Sequence, residues 1–324
     1  MQTAIKKEQV PLHPKIIFMG TPDFAVPTLQ ALVENGYDIL AVITQPDRRK
    51  GRGQKVSFSP VKEASIKYNL EVLQPARVSE PGTCERIRHK KPDLLVVVAF
   101  GQLLKRELLA IPSFGAINIH ASLLPKYRGP APIHWAILNN EKKTGLTAML
   151  MDEGLDTGHM ILQEELRINP EETCGQLHDK LANMSADFIV KTLNHISLNQ
   201  FDAIPQDECQ STYAPKIDKN NAQINWHQPA HTIATLSRAL DSWPGAFTTL
   251  GNKKIKLFSP LVIDNEDKET TPGKIRCLID GSFIIETGQG LIIFKEIQIA
   301  GKKRLSVRNF LHGFSVDEGT LLGQ

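Results

Sequence analysis

Apolar residues in the first half of the chain come in short unbroken runs, each followed by a stretch where they recur every three to four positions. Lys15–Gly20 (KIIFMG) is the first run and reads as a buried strand. Val26, Leu29, Leu32 and Val33 then line one side of a helix, with Asp23 placed to cap it and Asn35-Gly36 to stop it. Residues 39–44 repeat the strand signal, 60–69 the helical one, and 71–73 give another short strand. A helix over 83–90 leads to residues 93–98 (DLLVVV), the clearest buried strand in the chain, and 116–120 supplies one more. Strands and helices alternating at this spacing predict an α/β fold, a doubly wound, mostly parallel sheet of Rossmann-like type.

Past residue 144 the pattern shifts. Residues 146–151 and 160–168 read as strands, and a long amphipathic helix covers 173–196. A polar stretch with two prolines follows, and the linker is placed at 199–214. Beyond it lie short strands at 222–226, 246–250, 254–258, 274–280, 282–286 and 291–298, with one helix over 229–242. Short strands with Gly turns predict a small OB-like β-barrel. The expected organisation is an extension over 1–14, a first domain over 15–198 and a second over 215–324.

Two domains also suit the length of 324 residues. The formal net charge of +3 permits a nucleic-acid partner without demanding one, so local clustering must carry that argument. Cys84, Cys174, Cys209 and Cys277 lie far apart with no CxxC pair, against a zinc ribbon or a disulfide scaffold and in favour of a reduced, cytoplasmic protein. The first residues lack the apolar core of a signal peptide, and no run of about 18 apolar residues predicts a membrane span.

Four places could carry chemistry. Gly20-Thr-Pro-Asp-Phe-Ala-Val26 follows the first strand, but GxGxxG and Walker patterns are absent and Pro22 removes an amide donor, so a tight turn is favoured over a dinucleotide or NTP site. Asn118 and His120 end a predicted strand two residues apart, hence on one face, where doubly wound sheets bind ligands. By itself such a histidine is more simply a structural one. The loop Ser122-Leu-Leu-Pro-Lys-Tyr-Arg-Gly-Pro-Ala-Pro-Ile133 directly after it is ordered by its prolines and suited to shaping a pocket.

Met151-Asp-Glu-Gly-Leu-Asp-Thr-Gly158 lacks EF-hand spacing; it reads either as an exposed turn or as a loop aiming Asp156 at His120. A carboxylate there would favour the charged imidazole. Last, Gln45–Lys55 (QPDRRKGRGQK) holds Arg48, Arg49, Lys50, Arg52 and Lys55 against the single acid Asp47, with two glycines and no apolar side chain. It reads as a mobile basic loop at a strand end, suited to phosphate or simply solvated.

NIHASLLPKYRGPAPI together with DEGLDTG is similar to the signature of the folate-dependent formyltransferases. The early GTPDFAVPTLQAL, the basic loop and the β-rich second domain narrow the resemblance to members acting on methionyl-tRNA. It runs from about Lys15 to beyond residue 310 with no departure at the key positions. The resemblance implies Asn118, His120 and Asp156 as the catalytic triad. Ser122, Leu123, Leu124 and Pro125, with Asp152 and Gly154, become the folate contacts. It implies 10-formyltetrahydrofolate as formyl donor, initiator methionyl-tRNA as acceptor, no metal, no membrane and a monomer. Arg48, Arg49, Lys50, Arg52 and Lys55 become contacts to the tRNA acceptor end. Lys253, Lys254, Lys256, Lys302, Lys303, Arg304 and Arg308 become candidates in the second domain. The rivals are a formyltransferase for a small amine, a formyltetrahydrofolate hydrolase, and a non-catalytic RNA-binding protein on the same scaffold.

Overall fold

A computed structural model describes residues 10–50, 55–198, 202–265, 270–279 and 282–323. The chain divides into two compact units. The first comprises residues up to 132, 143–167 and 178–214. The second comprises 133–142, 168–177 and 215–324.

In the first unit the strands are β1 (Lys15–Gly20), β2 (Asp38–Ile43), β3 (Arg48–Lys50), β4 (Lys55–Ser57), β5 (Val72–Leu73), β6 (Leu94–Val98), β7 (Ala116–His120), β8 (Lys143–Leu150) and β9 (Met160–Arg167). The helices are α1 (Val26–Glu34), α2 (Pro60–Lys67), α3 (Pro81–Lys90) and α4 (Arg106–Leu109); α5 (Pro132–Leu138) falls in the second unit after its first residue, and α6 (Cys174–Ser197) has its first turn there and the rest in the first unit. The main sheet has the order β5-β2-β1-β6-β7-β8-β9. Its first five strands are parallel, whereas β8 and β9 run antiparallel beside β7. All five residues of β6 are buried, as a strand covered on both faces requires. β9 instead alternates half-buried and exposed positions from Leu162 onward, as an edge strand with one wet face does.

Two local expectations are corrected. Asp23 does not cap α1: its carboxylate accepts from Phe24 N (3.1 Å) inside a one-turn 3₁₀ helix, and α1 begins at a Pro-containing first turn instead. The basic segment is not simply a loop, because β3 and β4 pair antiparallel as a short hairpin. The four-residue α4 was not foreseen, being too short to show helical periodicity.

The second unit holds α7 (Ala230–Ala239), β10 (Phe247–Leu250), β11 (Lys253–Ile263), β12 (Ile275–Ile279), β13 (Ser282–Glu286), β14 (Leu291–Ile299), β15 (Leu305–Ser306) and α8 (Val307–Leu311). Its antiparallel sheet has the order β10-β11-β14-β13-β12, with β15 against β14. Near the chain end, Leu322 bridges to Leu250 at one edge and Leu321 to Lys274 beside the other, so the sheet curls into a half-barrel. Phe283, Phe294 and Trp226 fill it, with Trp226 edge-on to Phe294 at 6.3 Å and its Nε1–H donating to Thr248 Oγ1. The strand expected over 222–226 is corrected to a 3₁₀ turn followed by a single bridge from Gln223 to Phe247. Its alternation was real, since Ala222, Ile224 and Trp226 are buried between exposed neighbours, but it has too few backbone partners to count as a strand.

Candidate active site

β7 ends at the carboxyl edge of the parallel sheet. Its period of two places Asn118 and His120 on the same face, and both are under a tenth exposed. The turn after β8 brings Asp156 to them. Asn118 Nδ2 donates to Asp156 Oδ1 at 3.5 Å, and His120 Nδ1 lies 3.7 Å from Asp156 Oδ2. His120 Nε2 is 2.9 Å from the carbonyl oxygen of Tyr127. A carbonyl only accepts, so Nε2 carries the hydrogen and Nδ1 is the nitrogen that faces the carboxylate. These two contacts are long for hydrogen bonds, so Asn118 Nδ2 and His120 Nδ1 each have room for a closer partner.

The backbone of Asp156 is unusual. It stands at φ 56°, a left-handed conformation costing a residue with a side chain roughly 1–2 kcal/mol, so the surroundings must hold it. Part of the hold is local. Asp152 Oδ1 accepts from Gly154 N (3.0 Å) and Thr157 Oγ1 (2.7 Å), closing the turn. Gly158 lies so close to the Leu150 carbonyl that a Cβ would collide with it. Gly129 N donates to Asp156 Oδ2 at 2.8 Å, fixing the carboxylate against the loop after β7.

That loop is itself secured. Thr147 Oγ1, fully buried, donates to Ser122 O (2.7 Å) and accepts from Leu124 N (3.1 Å). Gln163 Nε2 donates to Leu124 O (2.8 Å), and Ser122 Oγ to Lys126 O (2.6 Å). Ser122 and Leu124 are buried, so of the four loop residues expected at folate only Leu123 and Pro125 keep partial exposure. Asp152 and Gly154 are exposed, and the Asp152 carboxylate is engaged in its own turn. Nothing in their sequence positions singled out Thr147 or Gln163.

The basic hairpin hangs from the same edge of the sheet. At its foot Asp47 bonds Lys62 Nζ (2.5 Å) and Gln74 Nε2 (2.8 Å), and Gln74 also donates to Gln45 O (2.9 Å). Hydrogen bonds from Lys62 and then Gln74 hold the Asp47 carboxyl below its ordinary range. The lone acid of the segment is therefore a tether. Arg48 pairs with Ser57, Arg49 with Val56 and Lys50 with Lys55 through the backbone, whereas Arg52 lies outside the described residues.

Residues 14–193 match the family described as Formyl transferase, and 216–315 match Formyl transferase, C-terminal domain. The chain belongs to the formyl transferase family. Among its relatives, the methionyl-tRNA formyltransferase of Alkaliphilus oremlandii is 47% identical over 310 residues, covering 96% of this chain and 100% of that protein. The methionyl-tRNA formyltransferase of Acetivibrio thermocellus is 46% identical with the same coverage. HypX from Aquifex aeolicus, solved in complex with tetrahydrofolic acid, shares the fold with a TM-score of 0.65 at 18% identity. There 95% of this chain is covered, and the chain spans about half (51%) of HypX.

In the second unit of this formyl transferase the expected cationic candidates separate. Lys302 and Lys303 are exposed. Lys253 and Lys254 are exposed too, each lying over an aromatic ring, Phe314 at 4.0 Å and Phe247 at 3.1 Å. Lys256 is half-buried. Arg304 is committed elsewhere: it pairs with Asp241 (2.8 Å) and Glu296 (2.5 Å) and stacks on Phe258 (4.0 Å). Burial acts to raise the Glu296 carboxyl, but hydrogen bonds from Ser259 and Arg304 outweigh it and hold it low. Among the described residues no group of three or more His, Cys, Asp and Glu could hold a metal ion, and no helix is long and apolar enough to cross a membrane.

Proposed function

We propose that this formyl transferase moves the formyl group of 10-formyltetrahydrofolate onto the α-amino group of methionine carried by initiator tRNA. The carrying observation is the meeting of Asn118, His120 and Asp156 in one corner of a chain nearly half identical to enzymes bearing that name. Reduced folate as donor is supported by the family and by the fold shared with a tetrahydrofolate complex. The basic hairpin and the second unit favour a large anionic acceptor over a small amine. On this reading the enzyme works in the cytoplasm as a monomer, and sedimentation with bound tRNA would give one protein per tRNA.

The neutral α-amine adds to the formyl carbon, and the formyl oxygen takes up negative charge. Asn118 Nδ2 donates a hydrogen bond to that oxygen, a kind of contact worth about 100- to 1000-fold in rate. His120 acts through Nδ1, because its Nε2–H is committed to Tyr127 O. Protonated there, the ring adds a second donor. Asp156 takes the proton lost by the attacking nitrogen, directly or through water. The intermediate then collapses: the carbon–N10 bond breaks, N10 takes the proton that Asp156 received from the amine, directly or through water, and the new amide keeps the formyl carbon.

Formyl transfer measured side by side on initiator methionyl-tRNA, elongator methionyl-tRNA and small amines tests the proposal. The expected result is transfer to the initiator species above both others. Faster transfer to a small amine, or formate release at full rate without acceptor, would replace this reading with one of its rivals.

A further inference from the structure

Residues 204–214 fall within the stretch expected to be a linker, yet they are bound tightly along the first unit. Ile204 and Met160 exchange two backbone hydrogen bonds of 2.8 Å. Thr212 O accepts from Arg128 N (2.9 Å), and Ala214 N donates to Arg128 O (2.7 Å). Between these anchors, the 9%-exposed Gln206 reaches the catalytic turn. Its Nε2 donates to the carbonyl oxygens of both Asp156 and Gly158, each at 2.8 Å. Its Oε1 accepts from Arg128 Nε at 2.9 Å. Arg128, a residue only 8% exposed, forks its guanidinium onto Glu208 with bonds of 2.9 and 2.7 Å. Hydrogen bonds from Arg128 hold the Glu208 carboxyl below its usual range.

We propose that Gln206 is a positioning residue for Asp156, with the Arg128–Glu208 pair orienting the Gln206 amide. Resting on the formyl-transfer reading, the inference assigns the segment a part in the reaction. The geometry supplies two routes to one carboxylate. Gln206 holds the left-handed backbone of Asp156 by its carbonyl. Residues 212–214 hold Arg128, whose neighbour Gly129 gives its N–H to Asp156 Oδ2. An amide is needed because two carbonyls face it from one side and a guanidinium N–H from the other. Gln meets both demands at once, which no hydroxyl, acid or base does. Removing it would let the turn relax, and a shift of about 1 Å at a reacting group can cost on the order of 100-fold.

The test is Gln206→Leu, which keeps the volume and removes both donors. The expected result is a kcat on methionyl-tRNA at least about tenfold lower, with the KM for folate and for tRNA within about twofold. In an Asp156→Ala background the same substitution should cost less than about twofold, since the group it positions is already gone. Parent-like kcat, or an equal loss in both backgrounds, overturns the proposal. Should Gln206→Leu fail to fold, the exposed-side change Glu208→Gln serves instead: it frees Arg128 and should lower kcat about threefold only where Asp156 is present. Unchanged turnover in that variant overturns the proposal equally. A parent protein inert on methionyl-tRNA would sink the function; an active parent with an indifferent Gln206 sinks only this inference.

Discussion

Two features hang from the carboxyl edge of one parallel sheet, and they are built in opposite ways. Around Asp156 the polar groups are closely tied to protein: its carboxylate to Gly129 and Asn118, its carbonyl to Gln206, the facing imidazole to Tyr127. The basic hairpin is tied at its foot, through Asp47, Lys62 and Gln74. The difference suits the two tasks proposed for them. Stabilising charge on a single developing oxygen requires donors fixed to a fraction of an ångström before the reaction. Attracting a phosphate chain requires charge at the right place, with little demand on angle.

The sharpest way to break this comparison is to remove the fixed groups. Asn118→Ala, His120→Ala and Asp156→Ala should each lower kcat by about 100-fold or more while the protein still melts cooperatively. Near-parental turnover in any one would take that residue out of the scheme. Next comes the hairpin. Arg52→Ala should raise the KM for tRNA by roughly tenfold, leave kcat and folate affinity in place, and reduce the salt slope of binding by about one. Equal loss of folate affinity would mean the segment serves the fold.

Arg304→Ala separates structural from free cations in the second unit. It should lower stability by about 2 kcal/mol, less than a fully buried pair because its head keeps some contact with water. The double change Lys302→Ala with Lys303→Ala should leave the melting temperature alone and weaken tRNA binding. The reverse pattern would exchange their roles.

Asp47→Asn gives the smallest effect and the most telling sign. Removing the one negative charge of the segment should tighten tRNA binding if bulk charge were all that mattered. If the tether matters, binding weakens by about two- to fivefold. Since Asp47 is held below its ordinary value of 3.8, the tether is complete above that pH and fades only as pH falls through the lower folded value. Parental tRNA affinity should therefore hold from about pH 8 to 5 as far as Asp47 is concerned.

Thiol chemistry checks burial directly. Burial, with Asp241 nearby, pushes the Cys174 thiol up to about 12, so this thiol should stay unlabelled at pH 8 in the native protein. Exposed Cys209 should react readily under the same conditions.

Much of the fold was legible in one dimension, as three segments show. Residues 93–98 announced a buried strand because a strand covered on both faces needs apolar side chains at every position. Asn118 and His120 were placed on one face by spacing alone. Even 222–226, wrongly read as a strand, does bury every second residue. The loop motifs made the triad nameable, since such runs of Gly, Pro and polar residues are specific enough to resemble one family.

The Gln206 contacts were not legible, because nothing local distinguishes an amide in a polar, proline-containing stretch from one in solvent. Fifty residues separate it from the carbonyl it holds. The pairing of Arg304 was not legible for the same reason. Its neighbours Lys302 and Lys303 share its charge, and the partners that claim it, Asp241 and Glu296, come from other elements.

By itself the chain determined which residues would be buried, in what order strands and helices would follow, and what chemistry its motifs could support. Those properties follow from side-chain polarity read at a period of two or of about three and a half. Tertiary structure decided which polar group answers which. Hydrogen bonds form between atoms brought within about 3 Å of each other, and that proximity is a property of the packed chain.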